Sequence, residues 1–386
     1  MLHKARLLTP GPTQLPERVR LAMAQDMVHH RKPQFKKLLH AVQGNLQTLF
    51  GTAQPVISLA ASGSGAMTAA VANLFAAGET VLVIEAGKFG ERWGNICKVL
   101  DVKTVTHSVP WGEGAVVADV ENLLDATPGI AGILVQVSET STGAMHPVKE
   151  LASLAKKRNI LLVADGVSAV SISPCPMDAW GIDCLLTGSQ KGLLLPPGLS
   201  FIALSARAWE KAATVPCRDF YFNLAKERES LAQDQTNFTP AINLLYGLNE
   251  SLTMLLEDGL DAVFAKQWAL TCMARTGITA MGFQLLSKRS YTWGLTSFLL
   301  PSGITSGPLL AHAAEQYGII MAAGMGHMKD SVIRLGHMGW VDYADVAAGL
   351  YATAASYRAL GGHIGARDYL EQAMAAYEEA RVNGLP

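Results

Sequence analysis

Seven short segments of this chain are apolar with little regard for alternation, and most are separated by stretches whose apolar residues recur every three or four positions. They are Val56–Ala60, Thr80–Ile84, Val102–Val109, Ile133–Val137, Ile160–Ala164, Cys184–Thr187 and Leu199–Leu204. A strand that is apolar on both faces belongs in a sheet covered on both sides. The pattern therefore predicts an α/β fold with a mainly parallel seven-stranded sheet and helices above and below it. Pro147–Arg158 shows the helical period: Val148, Leu151, Ala152 and Ala155 fall at i, i+3, i+4 and i+7, while Lys149, Glu150, Lys156 and Lys157 lie mostly elsewhere. Pro147 suits a first turn, where a missing N–H is no loss. A second helix is expected from about Lys36 to Phe50, with Leu39, Val42, Leu46 and Leu49 on one stripe and Gly51 as its stop. A third runs from about Ala241 to Leu256.

Between and beyond these elements the texture changes. Residues 1–16 read as an extended amino-terminal arm, because Pro10 and Pro12 around Gly11 fix φ and remove donors. Residues 206–240 read as irregular. After Asp258-Gly259, helices alternate with short strands at Thr296–Leu300, Ile319–Met321 and Val332–Leu335. The expected layout is an arm (1–16), a large domain (17–258) and a smaller carboxyl-terminal α/β domain (259–386).

Composition narrows the function. With 386 residues, 49% hydrophobic and 16% charged, the chain is long and apolar enough for a large core. A net charge of −1 leaves no electrostatic footprint for nucleic acid or a membrane surface, so small molecules are the expected partners. Cys97, Cys175, Cys184, Cys217 and Cys272 are scattered and odd in number, which indicates neither a disulfide framework nor a zinc site and points to a reducing compartment. The first residues lack an apolar signal core and no apolar run approaches the ~18 residues of a membrane span. A cytoplasmic location is expected.

In an open parallel sheet, ligands collect at the carboxyl ends of the strands. After Val56–Ala60 comes Ser62-Gly63-Ser64-Gly65-Ala66-Met67-Thr68 opening an apolar helix, where free N–H groups can bind a phosphate. It matches neither a dinucleotide fingerprint nor a Walker loop. Phe89 follows the second strand, where it could stack on a flat ring. Ser138-Glu139-Thr140-Ser141-Thr142-Gly143 follows the fourth and offers hydroxyls to a phenolic oxygen or a substrate. Asp165 ends the fifth strand, where a buried carboxylate ordinarily has a cationic partner. Lys191 lies just past the sixth, between an apolar strand and Leu193-Leu194-Leu195-Pro196-Pro197, where desolvation favours the neutral amine that Schiff-base chemistry requires. Each feature alone also has an ordinary structural reading, as a helix cap, a core aromatic, a hydroxyl-rich turn or a salt-bridged pair. Their succession along the strand ends favours one ligand, pyridoxal 5'-phosphate (PLP), whose aldehyde needs a lysine and whose ring nitrogen needs an acid.

These residues also resemble a family. Thr9-Pro10-Gly11-Pro12-Thr13, Gly63-Ser64-Gly65, Phe89-Gly90-Glu91-Arg92-Trp93, Ser138–Gly143, Asp165-Gly166-Val167-Ser168, Gly188-Ser189-Gln190-Lys191-Gly192, Phe238-Thr239-Pro240 and Arg334-Leu335-Gly336-His337-Met338-Gly339 are ordered and spaced as in the class V aminotransferases of PLP fold type I. The alanine–glyoxylate and serine–glyoxylate (serine–pyruvate) group is the most similar. The resemblance implies that Lys191 carries the cofactor and shuttles the Cα proton, that Asp165 pairs with the ring nitrogen, and that Val167 and Phe89 pack on the two faces of the ring. It also implies a phosphate held by Ser64, Gly65 and Gln190, next to Ala66, with Thr239 and Thr236 reaching in from the other subunit of a homodimer. Thr140 would lie by the ring oxygen. Arg334 would hold the substrate carboxylate, and Pro10-Gly11 would close over it. The implied reaction is a ping-pong transfer from alanine or serine to glyoxylate or pyruvate. Some members of the family carry tryptophan, histidine and serine where Phe89, Ala66 and Thr140 stand, and an aromatic hydroxyl where Thr236 stands. Two alternatives remain: a class V lyase or desulfurase, which would need a mobile cysteine over the substrate, and a catalytically silent subunit of another complex.

Overall fold

A computed structural model describes residues 4–386. Its central sheet has seven strands: β1 (Val56–Leu59), β2 (Thr80–Glu85), β3 (Lys103–Ser108), β4 (Ile130–Gln136), β5 (Leu161–Asp165), β6 (Cys184–Gly188) and β7 (Ser200–Leu204). Their spatial order is β1-β7-β6-β5-β4-β2-β3. Only β7 runs against its neighbours, antiparallel to both β1 and β6. All seven form near the expected positions, although β4 starts earlier, at Ile130.

Alternation along β2 shows how the layers arise, because successive side chains of a strand point to opposite faces. Leu82 and Ile84 join a core with residues of helices Pro33–Phe50, Val148–Lys157 and Ile242–Glu257. Val81 and Val83 join a second core with helices Gly63–Leu74, Lys88–Val99 and Ala206–Thr214. The first helix begins at Pro33 and stops where Gly51 takes φ 61°, a left-handed value that glycine adopts without Cβ strain. The segment 206–240 corrects the expectation of irregular chain. It holds two short helices, Ala206–Thr214 and Leu224–Leu231, started by the side chains of Ser205 and Asn223, which accept from the N–H groups of Ala208 and Lys226. Each cap satisfies one of the N–H groups that a helix start leaves without an intrahelical partner.

Beyond residue 258 a four-stranded antiparallel sheet runs in the order Gln284–Leu285, Leu295–Leu299, Val332–Gly336, Ala322–Ala323. The expected strand at Ile319–Met321 is not part of it. Ile319–Ile320 pairs in parallel with Arg6–Leu7, so the arm is stitched to the carboxyl-terminal region and Leu8 lies in that region's core. Arg6 and Leu8 donate to the carbonyls of Gly318 and Ile320, both at 2.8 Å. The arm then crosses to the large sheet, where the Thr13 N–H donates to the Gln190 carbonyl at 3.1 Å.

Candidate active site

A cavity of about 510 Å³ opens at the carboxyl ends of the sheet strands, between them, the arm and the carboxyl-terminal region. Lys191, Asp165, Val167, Gln190, Ser64, Phe89, Thr140, Arg334, Pro10 and Gly11 all line it. One sheet supplies most of them, since parallel strands ending side by side present their following residues to one crevice.

Lys191 is buried, and its Nζ donates to Ser168 Oγ at 2.6 Å and to Thr140 Oγ1 at 3.2 Å. Burial lowers its pKa; Asp165 opposes that shift, and Arg334 adds to it. Gly11 presses on the stem: a Cβ there would stand 3.1 Å from Lys191 Cε and Cγ, and its φ is +121°. The backbone shape is what calls for glycine here, and a Cβ would also sit tightly against the lysine stem.

No protein cation forms a salt bridge with Asp165 among the described residues. Its one hydrogen bond comes from the Val167 N–H to Oδ1 at 2.9 Å. Burial pushes its pKa up, and the Val167 N–H and the charge of Lys191 only partly oppose this. A desolvated carboxylate on a cavity wall with spare acceptor capacity fits a ligand N–H.

Arg334 is a second under-partnered charge. Nε donates to the Ala323 carbonyl at 2.8 Å and Nη1 to the Thr140 carbonyl at 3.1 Å, and among the described residues no carboxylate pairs with it. Two carbonyls fix the plane of the guanidinium and leave donors for a ligand carboxylate. Burial lowers its pKa, and the charge of Glu139 opposes that.

Ser64 stands in the first turn of helix Gly63–Leu74 and accepts from Arg92 Nη1 at 2.9 Å. The guanidinium of Arg92 lies 4.7 Å from the Phe89 ring centroid. Ser62 does not cap this helix with its side chain, so its amino end remains open to an oxyanion. At Gly63 a Cβ would stand 2.7 Å from Val167 Cγ2, so only glycine lets the helix start come so close to the strand end. An amine, an under-partnered buried acid, an aromatic wall and an open helix end all line one cavity. Together they fit the aldehyde, ring nitrogen, ring face and phosphate of PLP.

Four expected residues lie outside this cavity. Gly65 turns away, a Cβ there meeting Ala61 and Phe222, and Ala66 is wholly buried. Thr236 and Thr239 line a separate small pocket with Ser58, Leu59 and Ala60. Three residues that matter had no role assigned from sequence. Ser168 touches the lysine amine. Arg92 meets Ser64. Glu139 is buried and accepts from the N–H groups of Phe89 (3.1 Å), Gly90 (2.9 Å) and Ser141 (3.0 Å), which ties the Phe89 helix to the hydroxyl loop. An acid inside a hydroxyl cluster at a strand end was the one available signal for Glu139.

Comparison with known proteins agrees with this geometry. The aminotransferase class-V family model matches residues 7–339. A protein named soluble hydrogenase, small subunit, from Synechococcus sp. (strain PCC 6716) is 34% identical over 94% of this chain and 95% of its own length. The serine–glyoxylate aminotransferase of Hyphomicrobium methylovorum is 33% identical over 90% of this chain and 88% of its own. The solved structure of an alanine–glyoxylate aminotransferase from Nostoc sp. superposes with a TM-score of 0.88 at 28% identity, covering 93% of this chain and 97% of that one. The chain belongs to the class-V aminotransferases and is a PLP-dependent transaminase of fold type I.

Proposed function

We propose that the protein moves an amino group from alanine or serine to glyoxylate or pyruvate. The observation that carries this is the placing of Arg334, a half-buried guanidinium without a carboxylate partner among the described residues, on the wall of the cavity that also holds Lys191. Two of the relatives described above carry glyoxylate in their names, which supports it as acceptor.

Bound PLP supplies an aldehyde that condenses with amines and a protonated ring that draws electrons from the substrate Cα. The protein does the rest. Arg334 grips the α-carboxylate of donor and acceptor alike and so orients Cα. Lys191, desolvated and therefore readily neutral, carries the cofactor and then moves the Cα proton with its Nζ. Asp165 would accept the ring N–H, an arrangement that would also satisfy its own buried charge. Phe89 and Val167 would hold the ring between them, while Ser64, Gln190 and the open helix start would take the phosphate, with Gly65 and Ala66 shaping that turn. Thr140 would lie by the ring oxygen. Pro10 and Gly11 keep water from the substrate. The arm (1–16), large domain (17–258) and small domain (259–386) are the units that bring these walls together.

Thr236 and Thr239 belong, in this reading, to the neighbour's phosphate site in a cytoplasmic homodimer. Phe220, 81% exposed and packed against Phe238 beside Tyr221, supports an interface on that face. Two rivals lose ground. No cysteine lines the cavity, and burial pushes the thiols of Cys97 and Cys175 up to about 12, which suits a desulfurase poorly. A silent subunit would have no reason to keep Lys191, Asp165 and Arg334 in one cavity. The test is a panel of alanine, serine, aspartate and glutamate against glyoxylate and pyruvate, followed by the cofactor's absorbance change. Alanine or serine with glyoxylate should give the highest kcat/KM; turnover confined to aspartate or glutamate would sink the small-donor reading.

A further inference from the structure

We propose that Ser168 is a positioning residue that holds the free amine of Lys191, with Thr140 as its secondary support. The proposal rests on Lys191 being the amine that meets cofactor and substrate. Ser168 Oγ is the nearer of the two partners, at 2.6 Å from Nζ against 3.2 Å for Thr140 Oγ1, and the two hydroxyls are hydrogen-bonded to each other. All three side chains are buried. Ser168 comes to this place through the turn after β5, in which the N–H groups of Ala169 and Val170 both donate to the Gly166 carbonyl at 2.9 Å. Gly11 bounds the stem of the same lysine. The arm therefore limits where the chain of methylenes runs, and the hydroxyl pair decides where the nitrogen stops.

Donor counting shows what this contact does. A neutral amine has two N–H donors and one lone pair. With one N–H on Ser168 and one on Thr140, the lone pair is left for the cavity, where a Cα proton would be taken. Neither hydroxyl is charged, so the amine is held without an ion pair that would lock it as ammonium. A lysine side chain has four rotatable bonds and moves freely when nothing holds its tip. Each time an incoming amino acid releases Lys191, the nitrogen must be waiting beside the substrate, and misplacement by an ångström is enough to slow a proton transfer severely.

Two measurements test this, and only one needs the loaded enzyme. In the apoprotein, the pH dependence of reductive methylation of Lys191, read by peptide mass spectrometry, reports how readily the amine ionises. An accepting hydroxyl favours the ammonium, so Ser168→Ala should move the midpoint down by about one pH unit, Thr140→Ala should move it less, and Ser168→Thr should restore it. In the loaded enzyme, a single turnover with alanine deuterated at Cα should slow by about ten- to a hundredfold in Ser168→Ala. The deuterium isotope effect should rise while alanine affinity stays within about threefold. An unchanged midpoint together with an unchanged turnover would overturn the proposal. Ser168→Cys, which keeps the size and weakens the acceptor, carries both measurements if the alanine variant does not fold. Should the wild type process no amino donor at all, the donor assignment falls instead, and the apoprotein titration still decides for or against Ser168.

Discussion

Two buried aspartates sit at opposite ends of the same sheet and are treated oppositely. Asp183, at the amino end of β6, accepts from the Leu162 N–H (2.9 Å), Ser205 Oγ (2.9 Å), and Arg207 Nε and Nη2 (3.1 and 2.6 Å). Asp165, at the carboxyl end of β5, accepts from one backbone N–H and has no salt bridge among the described residues. The first carboxylate holds helix Ala206–Thr214 to the sheet; its charge is spent within the protein. The second remains unpaired, as do Lys191 and Arg334 around it. A buried charge without its partner costs stability, and that cost is recovered only when a ligand supplies the missing group. The contrast separates structural from functional charge without reference to which residues are acidic or basic.

The largest expected effect tests the functional end. In the proposed mechanism Lys191→Ala removes both the covalent anchor and the proton carrier, so steady-state turnover should fall below about one per cent of wild type. Residual activity above that would mean another group moves the proton. The fold should be unaffected, since this amine anchors only two hydroxyls.

The two aspartates should then respond with opposite signs. Asp165→Asn should lose activity by at least about a thousandfold, because an amide cannot hold the ring proton. The apoprotein should nevertheless gain stability at pH 7, on the order of 1 kcal/mol. The sign follows from its raised pKa: the folded state favours the protonated acid, so ionisation at neutral pH works against folding, and the amide removes that cost. Asp183→Asn should do the reverse, with kcat within about twofold and a loss of about 2–4 kcal/mol, discounted because the Arg207 side chain is 33% exposed. Urea unfolding of both apoproteins with single-turnover assays of both loaded enzymes makes the comparison. If both substitutions destabilise alike, unpaired charge is not the mark of this site.

How much of this could be read in advance depended on range. Lys191, Asp165 and Phe89 were legible because each follows its own strand within a few residues, and the strand-end rule is local. Arg334 was found by resemblance alone: nothing near Val332–Gly336 indicates that the Thr140 carbonyl will receive it. The pairing of Arg6–Leu7 with Ile319–Ile320 joins the two ends of the chain, and no periodicity reports a partner so distant. Ser168 lay inside a quoted motif yet had no assigned role, because its value depends on where a turn aims one hydroxyl. Helices Ala206–Thr214 and Leu224–Leu231 were missed because their starts rest on single polar caps and their buried stripes are short.

On the opposite wall, Arg334→Ala should lower kcat/KM by about thirty- to a thousandfold, equivalent to roughly 2–4 kcal/mol for a charge-assisted contact. Arg334→Lys keeps charge and loses the planar fork, so it should recover only part. Both half-reactions should suffer equally, since donor and acceptor carry the same carboxylate, and PLP absorbance should remain. A loss confined to one half-reaction would move carboxylate recognition to another residue, with Arg92 the next cation on the cavity wall.

The smallest effect concerns a group that is buried and satisfied but can still be titrated. His337, one strand residue beyond the Arg334 strand, is fully enclosed, with Nε2 at 2.9 Å from Thr296 Oγ1 and Nδ1 at 3.3 Å from Gln267 Nε2. Burial, aided by the charge of Arg275, lowers its pKa from 6.5 to about 3, and burial with His107 nearby lowers that of His146 to about 4. Both are therefore neutral in the folded protein throughout the range in which the unfolded chain takes up a proton. Between those low values and 6.5 the unfolded state binds more protons, so stability rises with pH and is lost as pH falls through 6.5. From pH 7 to pH 5 each histidine should cost about 2 kcal/mol, with nothing comparable between pH 7 and 8. His337→Asn is the decisive variant: whatever it does to stability at pH 7, it should remove about 2 kcal/mol of the decline toward pH 5 in urea unfolding. A decline of undiminished slope would mean that His337 gains a proton in the folded state, and with it that the Thr296 and Gln267 contacts do not hold the imidazole neutral.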